Sequence, residues 1–301
     1  MVDDNVAAVQ IGDGSVRGRI IRMGPALDTA LGQNRYPVPV ARLLGEAVLI
    51  SGLVARSLKF DGKLLVQATG TNEGAVSMIV AESTTDGHVR AYARYDQDSL
   101  DRITAVDTVP GADMLMSGGE SGGTFAMTID QGPDMDRYQG LAAIEGQSLA
   151  ACAEHYFRQS EQIPTRLQLA VGQLLMPGQE AGWRGGGLMV QRIAGDRARS
   201  ETEDAWDLSR AVMSTVSDEE LLDPDLATDH LLYRLFHEMG VQRANPDQIL
   251  ARCSCSRDRL HETLVTFDRK DREDMLQDGN VTANCEFCAT DYIFTKEDLG
   301  L

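Results

Sequence analysis

Cys253-Ser254-Cys255 and Cys285-Glu286-Phe287-Cys288 stand close to the end of the chain and hold four of its five cysteines. Core packing gives no reason for cysteines to cluster in this way. Cys-x-Cys followed by Cys-x-x-Cys is a four-thiolate metal pattern, most typical of one tetrahedral Zn²⁺ with Zn–S bonds of about 2.3 Å. Because sulfur would occupy all four positions, none is left for a reactive water. The motifs therefore predict a closed zinc site and no hydrolytic centre.

The segment around the two motifs, residues 246–301, contains only a handful of large apolar residues. Ser256 is predicted to cap a short helix. Val281–Ala283 and Thr290–Phe294 are predicted to form a hairpin that carries the second cysteine motif at its tip. A segment this small usually needs a metal or disulfides to fold. We therefore expect residues 246–301 to form a small C-terminal zinc-binding domain.

The composition limits the classes of partner. The 301 residues include 46 acids and 28 bases, which gives a formal net charge of -18. Nucleic acid and anionic membrane repel such a surface, so neither is expected as a partner. The first fifteen residues carry acids where a signal peptide has bases, and apolar stretches such as Ala47 to Ala55 are too short to span a bilayer. We expect a cytoplasmic protein with reduced thiols.

The first two thirds of the chain predict an α+β core domain built on antiparallel strands, residues 1–195. Short alternating runs separated by Asp-Gly and glycine turns are typical of antiparallel strands. A long helix is expected at Val40–Arg56 and another at Ser148–Ser160. The predicted strands are Val16–Met23, Lys59–Thr69, Ala75–Glu82, Val89–Tyr95, Thr124–Ile129, Arg166–Val171 and Leu188–Ile193.

Cys152, the fifth cysteine, lies in the second of these helices, with His155 three residues further on. A nucleophile beside a base is one interpretation. Cysteine on an apolar helical face more often acts as a small buried hydrophobe. We therefore expect Cys152 to fill the core and predict no catalytic residue.

The composition changes near Gly195, after which an acidic helical linker is predicted over residues 196–245. Between Glu201 and Asp229 the sequence has ten acids and a single base. Ser217 with Glu220 forms a capping-box pattern. The apolar faces of these helices must lie against another surface. They could pack permanently on the core, or they could form a cover that lifts to expose a binding surface.

The chemistry of the four thiols leaves three hypotheses open. Zinc could simply stabilise a small domain, the Cys285-x-x-Cys288 pair could be a dithiol catalyst, or metal release and thiol oxidation could be a signal. Dithiol catalysts usually place the motif at a helix start, whereas a hairpin is predicted here. An extended Cys-x-Cys separates its α-carbons by about 7 Å, so a disulfide there should be strained and easily reduced. Loss of the metal should unfold a segment with so little core.

The chain resembles the bacterial redox-regulated heat-shock chaperones of the 33 kDa chaperonin family. The resemblance runs through nearly the whole sequence and combines the cysteine spacing with several internal motifs. The matching pieces are Arg137-Tyr138-Gln139-Gly140, Ile144-Glu145-Gly146, Leu149-Ala150-Ala151-Cys152, Tyr156-Phe157-x-x-Ser160-Glu161-Gln162-Ile163-Pro164-Thr165, Tyr233-Arg234-Leu235-Phe236-His237-Glu238, Cys253-Ser254-Cys255-Ser256-Arg257 and Cys285-Glu286-Phe287-Cys288. Residues 1–15 and the Pro177–Gly187 loop are less typical of the family.

The resemblance implies an ATP-independent holdase that oxidation activates. The reduced form would be inactive and bind zinc through Cys253, Cys255, Cys285 and Cys288. Oxidation would join Cys253 to Cys255 and Cys285 to Cys288, expel the zinc and unfold the linker and the zinc-binding domain. The oxidised protein would dimerise and hold unfolding client proteins during heat and oxidative stress. A constitutive zinc-ribbon binding module and a thiol-disulfide oxidoreductase stay as alternatives.

Overall fold

The computed structural model describes residues 3–57, 61–105, 110–119, 122–132, 135–175, 178, 181–193 and 199–301. The predicted strand start at Lys59 and part of the Pro177–Gly187 loop lie outside these residues. The chain divides into two compact units, Met1–Ala251 and Arg252–Leu301. Both units mix helices with strands that pair almost entirely antiparallel, which confirms the predicted α+β class. The three-part division at residues 195 and 245 stays a prediction.

The first unit carries most of the secondary structure. Its first half contains β1 (Asn5–Ile11), β2 (Val16–Met23), α1 (Pro25–Gly32), α2 (Val38–Ala55), β3 (Lys63–Thr69), β4 (Val76–Thr84), β5 (His88–Tyr95), α3 (Gln97–Thr104), α4 (Ala112–Ser117), β6 (Thr124–Asp130) and β7 (Tyr138–Ala143). Its second half contains α5 (Leu149–Gln159), β8 (Thr165–Leu174), β9 (Gly182–Arg192), α6 (Arg199–Met213), α7 (Asp218–Leu222), α8 (Thr228–Phe236), β10 (Val241–Arg243), β11 (Asp247–Gln248) and β12 (Leu250–Ala251).

Two sheets organise this unit. Sheet A has the strand order β10-β1-β2-β9-β8, with β11 also paired to β1. Sheet B has the order β12-β5-β4-β3-β6-β7. Strands β3, β4 and β5 pair antiparallel in chain order, but β6 pairs with β3, and β12 pairs with β5 in parallel. Those neighbours are distant in sequence, so the local turn signals could not reveal them.

Helix α2 lies at the centre of the unit because it is apolar on nearly every side. It contacts strands of both sheets, and the main core cluster combines its side chains with the inner faces of sheets A and B. By length and hydropathy α2 could cross a membrane, but 78% of its apolar window is buried inside the protein. That burial is what a core helix shows.

The linker helices α6, α7 and α8 pack on the opposite face of sheet A, here called the outer face. Alternate residues of a strand point to the same side, so every second residue of β1, β2 and β9 reaches this face. The sheet contributes Ala7, Val9, Ile11, Val16, Ile20, Ala170, Leu188 and Val190 to the buried cluster, and the linker contributes Trp206, Met213, Val216, Leu221, Leu231, Leu232, Leu235 and Phe236. The apolar faces of the linker therefore do lie on the core. The predicted capping box of α7 is present, with both Ser217–Glu220 hydrogen bonds formed.

The second unit is small. It contains α9 (Arg257–Leu264), α10 (Arg269–Asp274), β13 (Asn280–Asn284) and β14 (Asp291–Thr295), and the two strands form the predicted hairpin. Ser256 caps α9 as expected, because its side chain accepts a hydrogen bond from the Arg259 amide. The buried cluster of this unit consists of four side chains, Leu264, Val281, Phe294 and Leu299.

Candidate metal centre

The two cysteine motifs lie on different kinds of backbone. Cys253 and Cys255 belong to the segment between β12 and α9, and Cys285 and Cys288 occupy the turn that joins β13 to β14. In that turn the Cys288 and Ala289 amides donate to the Cys285 carbonyl, at 3.2 and 2.7 Å. Ala289 has a positive φ of 52°, which bends the chain sharply back into β14. This tight turn directs Cys285 and Cys288 to one side.

The four sulfur atoms converge, and all of them lie within 4.8 Å of one another. Two of the separations join one motif to the other: Cys253 Sγ to Cys285 Sγ is 3.7 Å and Cys255 Sγ to Cys288 Sγ is 3.4 Å. A tetrahedron with metal–sulfur bonds of about 2.3 Å has edges of about 3.8 Å. The donor set and its spacing therefore fit a metal ion, and they are compatible with zinc.

The sulfurs differ in their electrostatic surroundings. Burial is the largest cause that raises the pKa of Cys255, to about 12, and it also raises the pKa of Cys285. Burial would raise the pKa of Cys288 as well, but hydrogen bonds from the Thr290 hydroxyl and amide outweigh it and lower that pKa to about 7.

Hydrogen-bond donors surround the cluster. The Phe287 and Cys288 amides point at the Cys285 sulfur, an arrangement that favours the thiolate. The Tyr292 hydroxyl lies 3.2 Å from Cys255 Sγ, and this hydrogen bond is the main cause that raises the pKa of Tyr292 to about 12. Tyr292 thus stays protonated and can donate to a sulfur anion. Such donors orient metal ligands and stabilise their negative charge.

Side chains of α9 fix the unit around the cluster. The Arg257 guanidinium lies 4.7 Å from the Phe294 ring centroid and pairs with Asp298 at 2.8 Å. Asp298 in turn accepts from the Thr295 amide at 2.8 Å, which caps the turn that follows β14. The His261 ring lies 2.7 Å from the Asp298 carbonyl. These contacts hold α9 against β14 but bury little apolar surface.

Cys152 belongs to the first unit and is not a member of the cysteine cluster. It is 1% exposed in α5, and burial raises the pKa of its thiol. Its sulfur is near two carbonyl oxygens, those of Glu145 and Ser148, at 3.8 and 3.6 Å. His155 is 3.1 Å from Arg158. Cys152 therefore has the surroundings of a packed core residue.

Sequence reasoning did not single out Tyr292 or the arginines of the outer face of sheet A. No pattern in the sequence marks Tyr292, since its contact with Cys255 depends on how the hairpin folds back. Arg22 could have been found, because it shares the alternation of Val16 and Ile20 in β2 and must therefore point to the same side.

The chain matches one family of known proteins over nearly its whole length. The sequence model described as "Hsp33 protein" matches residues 4–295. The 33 kDa chaperonin of Caulobacter vibrioides is 46% identical over 97% of this chain and 95% of its own length. That of Pseudomonas aeruginosa is 35% identical over 96% of this chain and 90% of its own. The crystal structure of the 33 kDa chaperonin from Thermotoga maritima superposes with a TM-score of 0.77 at 22% identity, covering 99% of this chain and 97% of that one, and supports the fold. These matches confirm the resemblance seen in the motifs, and the chain belongs to the Hsp33 protein family.

Proposed function

We propose that this chain is an ATP-independent holdase chaperone whose activity is controlled by oxidation of its four clustered cysteines. Its family is one of heat-shock chaperones, and the relatives are named chaperonins, not enzymes. One observation supports the proposed control by oxidation. Four sulfurs lie within 4.8 Å of one another, in a unit whose core has four buried apolar side chains. A switch needs this combination of oxidisable groups and marginal stability.

In the reduced state, Cys253, Cys255, Cys285 and Cys288 would hold one Zn²⁺. When bound, the ion supplies the charge that keeps four neighbouring sulfurs ionised and close together. The amides of the β13–β14 turn and the Tyr292 hydroxyl stabilise the same anionic sulfurs. The second unit is then folded, and the linker helices cover the outer face of sheet A.

Oxidation would pair the cysteines within each motif. A thiolate attacks the O–O bond of a peroxide, which gives a sulfenic acid and releases hydroxide. The neighbouring thiolate then displaces the sulfenic oxygen as a second hydroxide, so that the two sulfurs lose two electrons in total and the peroxide gains them. Two such reactions would form Cys253–Cys255 and Cys285–Cys288. A sulfur in a disulfide is a poor metal ligand, so zinc would leave.

Loss of the metal would unfold the second unit, and with mild heat the linker would follow. The outer face of sheet A would then expose its apolar side chains, among them Val9, Ile20 and Leu188. This surface would bind unfolding proteins and prevent their aggregation during oxidative and heat stress. We propose that the oxidised protein is a homodimer and acts in the cytoplasm, without a role at nucleic acid or membranes.

Two observations speak against the alternatives. A zinc ribbon that binds nucleic acid would need a basic surface; Arg252, Arg257 and Arg259 lie exposed beside the first cysteine pair, but the formal net charge of the chain is -18. A dithiol oxidoreductase places its motif at a helix start. Here Cys285 and Cys288 lie in a hairpin turn.

The test is light scattering of a heat-unfolding client protein, with reduced and peroxide-treated samples side by side and metal release measured in both. We expect suppression of aggregation at near-equimolar ratio by the oxidised sample only, together with release of one zinc per chain. Catalytic turnover of a disulfide substrate would favour the oxidoreductase. An oxidised sample that keeps its metal and its helix content would contradict the proposal.

A further inference from the structure

Arg22 is a buried cation whose hydrogen-bond partners all belong to the linker. It lies in β2, is 4% exposed and points to the outer face of sheet A. Its Nη1 donates to the carbonyls of Leu221 and Glu220 at 2.7 and 3.0 Å, and its Nη2 donates to the Leu226 carbonyl at 2.6 Å. A buried charge is costly unless its donors are satisfied, and here the backbone of the linker satisfies them.

Arg184 of β9 makes a second contact of the same kind. Its Nε donates to the Leu222 carbonyl at 2.9 Å. The other side of its guanidinium is held by both carboxylate oxygens of Asp3, with Nη2 to Oδ1 at 2.9 Å. Arg184 is therefore fixed in place by the core and donates its Nε–H to the linker.

The two guanidiniums meet the C-terminal end of α7. The carbonyls of Glu220, Leu221 and Leu222 belong to the last turn of this helix, where carbonyl groups lack intrahelical partners and the helix dipole is negative. Positively charged side chains near such a helix end stabilise the helix. Arg22 and Arg184 thus cap α7 from outside the linker, although α7 has only five residues and would not be stable alone.

The floor beneath α7 is made of glycines. Gly186 lies directly opposite Arg22 in the β2–β9 register, and a Cβ at Gly186 would come within 2.2 Å of the Leu221 carbonyl oxygen. A Cβ at Gly172 of β8 would come within 2.9 Å of a Leu222 methyl group. The backbone of α7 therefore approaches the sheet as closely as packing permits, which lets the arginines reach its carbonyls.

A surface ion pair elsewhere on this face gives a useful contrast. Arg192 of β9 lies 3.7 Å from Glu203 of α6, and both side chains are open to solvent. Exposed pairs contribute little. Among the described side chains, the buried charged contacts between core and linker are those of Arg22 and Arg184 at α7.

We propose that Arg22 and Arg184, with the glycine floor between them, form a latch that fastens α7 to sheet A and sets how readily the acidic linker leaves the outer face. This proposal rests on the proposed function, in which the linker covers the surface that binds clients. The latch lies within the first unit, whereas the four clustered cysteines belong to the second.

The test compares four full-length variants in the reduced, zinc-loaded state: Arg22→Met, Arg22→Lys, Gly186→Ala and the control Gly187→Ala. Gly187 is the next residue of the same strand but faces the inner core, where a Cβ would meet Leu169 at 2.6 Å. Hydrogen exchange is measured at the amides of residues 218–226 and, as an internal reference, at those of α2. Zinc content, and suppression of client aggregation without oxidant, are measured on the same samples.

We expect exchange at residues 218–226 to accelerate at least about tenfold in Arg22→Met and Gly186→Ala, the factor that corresponds to one charge-assisted hydrogen bond. Exchange in α2 and the zinc content should stay at wild-type values, and both variants should suppress aggregation without oxidant. Arg22→Lys should be intermediate, since one ammonium group cannot reach three carbonyls, and Gly187→Ala should leave exchange at residues 218–226 unchanged relative to α2.

Unchanged exchange at residues 218–226 in both Arg22→Met and Gly186→Ala would overturn the latch. So would equal acceleration in α2, because these residues would then hold the core and not the linker. Oxidised wild-type protein that fails to suppress aggregation would instead overturn the proposed function. The exchange measurements would still decide whether Arg22 fastens α7.

Discussion

Removal of the metal under reducing conditions should unfold the second unit and leave the first unit folded. The unit's apolar core consists of four buried side chains, Leu264, Val281, Phe294 and Leu299. At about 1.5–3 kcal/mol for each buried side chain, this core contributes roughly 6–12 kcal/mol. A structural zinc site contributes about 10–16 kcal/mol. The metal would therefore supply stabilisation of the same order as these four buried side chains, or more.

The assay is hydrogen exchange followed by mass spectrometry, before and after a strong chelator removes the zinc in the presence of a reductant. Amides of α9 and of the β13–β14 hairpin should lose protection almost completely. Amides of α2, which is packed between two sheets, should keep theirs. Trypsin should then cut at Arg257 and Arg259, which are held in the folded unit by Asp298 and by the Ser254 carbonyl.

Returning zinc to the chelated sample provides the control, because protection should recover if the loss is due to the metal alone. A metal-free, fully reduced protein in which residues 252–301 stay protected would refute the reasoning. It would mean that hydrogen bonds and the small core are enough to keep the second unit folded without metal. Oxidation could then not unfold this unit by removing the metal.

Three substitutions give further predictions. Cys253→Ser should abolish tight zinc binding and, because it destabilises residues 252–301, should give the reduced protein partial holdase activity; normal zinc content by metal analysis would contradict this. Cys152→Ser should leave zinc content and oxidative activation near wild-type values, since its sulfur is buried in α5, and a lost response in the aggregation assay would show that it has another role. Glu46→Gln should remove a pH dependence of stability: burial raises the pKa of Glu46 to about 7, above the ordinary value of 4.5, so the folded protein loses stability as the pH rises through that window. Urea unfolding at pH 8 should show Glu46→Gln to be more stable than wild type by roughly 3 kcal/mol. The amide oxygen of the glutamine can still accept from the Leu149 amide, so that hydrogen bond is kept. The difference in stability should shrink towards pH 5, where Glu46 of the wild type is protonated. Equal stability of the two proteins at pH 8 would show that Glu46 is not destabilised when ionised.

Local sequence signals predicted the elements that depend on local interactions. The strand Val16–Met23 has the predicted bounds, and the helix expected at Val40–Arg56 runs over Val38–Ala55. The strand is marked in the sequence by alternating apolar residues between turn residues, and the helix by a long apolar run. The clustering of the four sulfurs could be expected for a similar reason, because metal sites impose fixed spacings on the chain.

Elements that depend on distant partners were not visible in the sequence. β1 was missed because Asn5–Ile11 is short and contains two alanines, and its strand character comes from pairing with β2 and β10. The sequence predicts a loop over Pro177–Gly187, but the glycines from Gly182 onward belong to β9. At Gly186 the close approach of α7 leaves no room for a side chain. Trp183 of the same strand is 7% exposed in the main core.

The junction between the linker and the cysteine unit explains why metal loss and linker release should be separate steps. After α8 the chain does not run free, since β10 and β11 pair with β1, and β12 pairs with β5. Between β11 and β12, Ile249 is 1% exposed in the main core and its amide donates to the Asp4 carbonyl at 2.7 Å. Unfolding of residues 252–301 would therefore stop at β11 and β12, which stay paired to the first unit. These two strands have two residues each, so mild heat can separate them from β1 and β5 at a modest cost in free energy. In the proposed function, an oxidant and mild heat would then both be needed before the outer face of sheet A is uncovered.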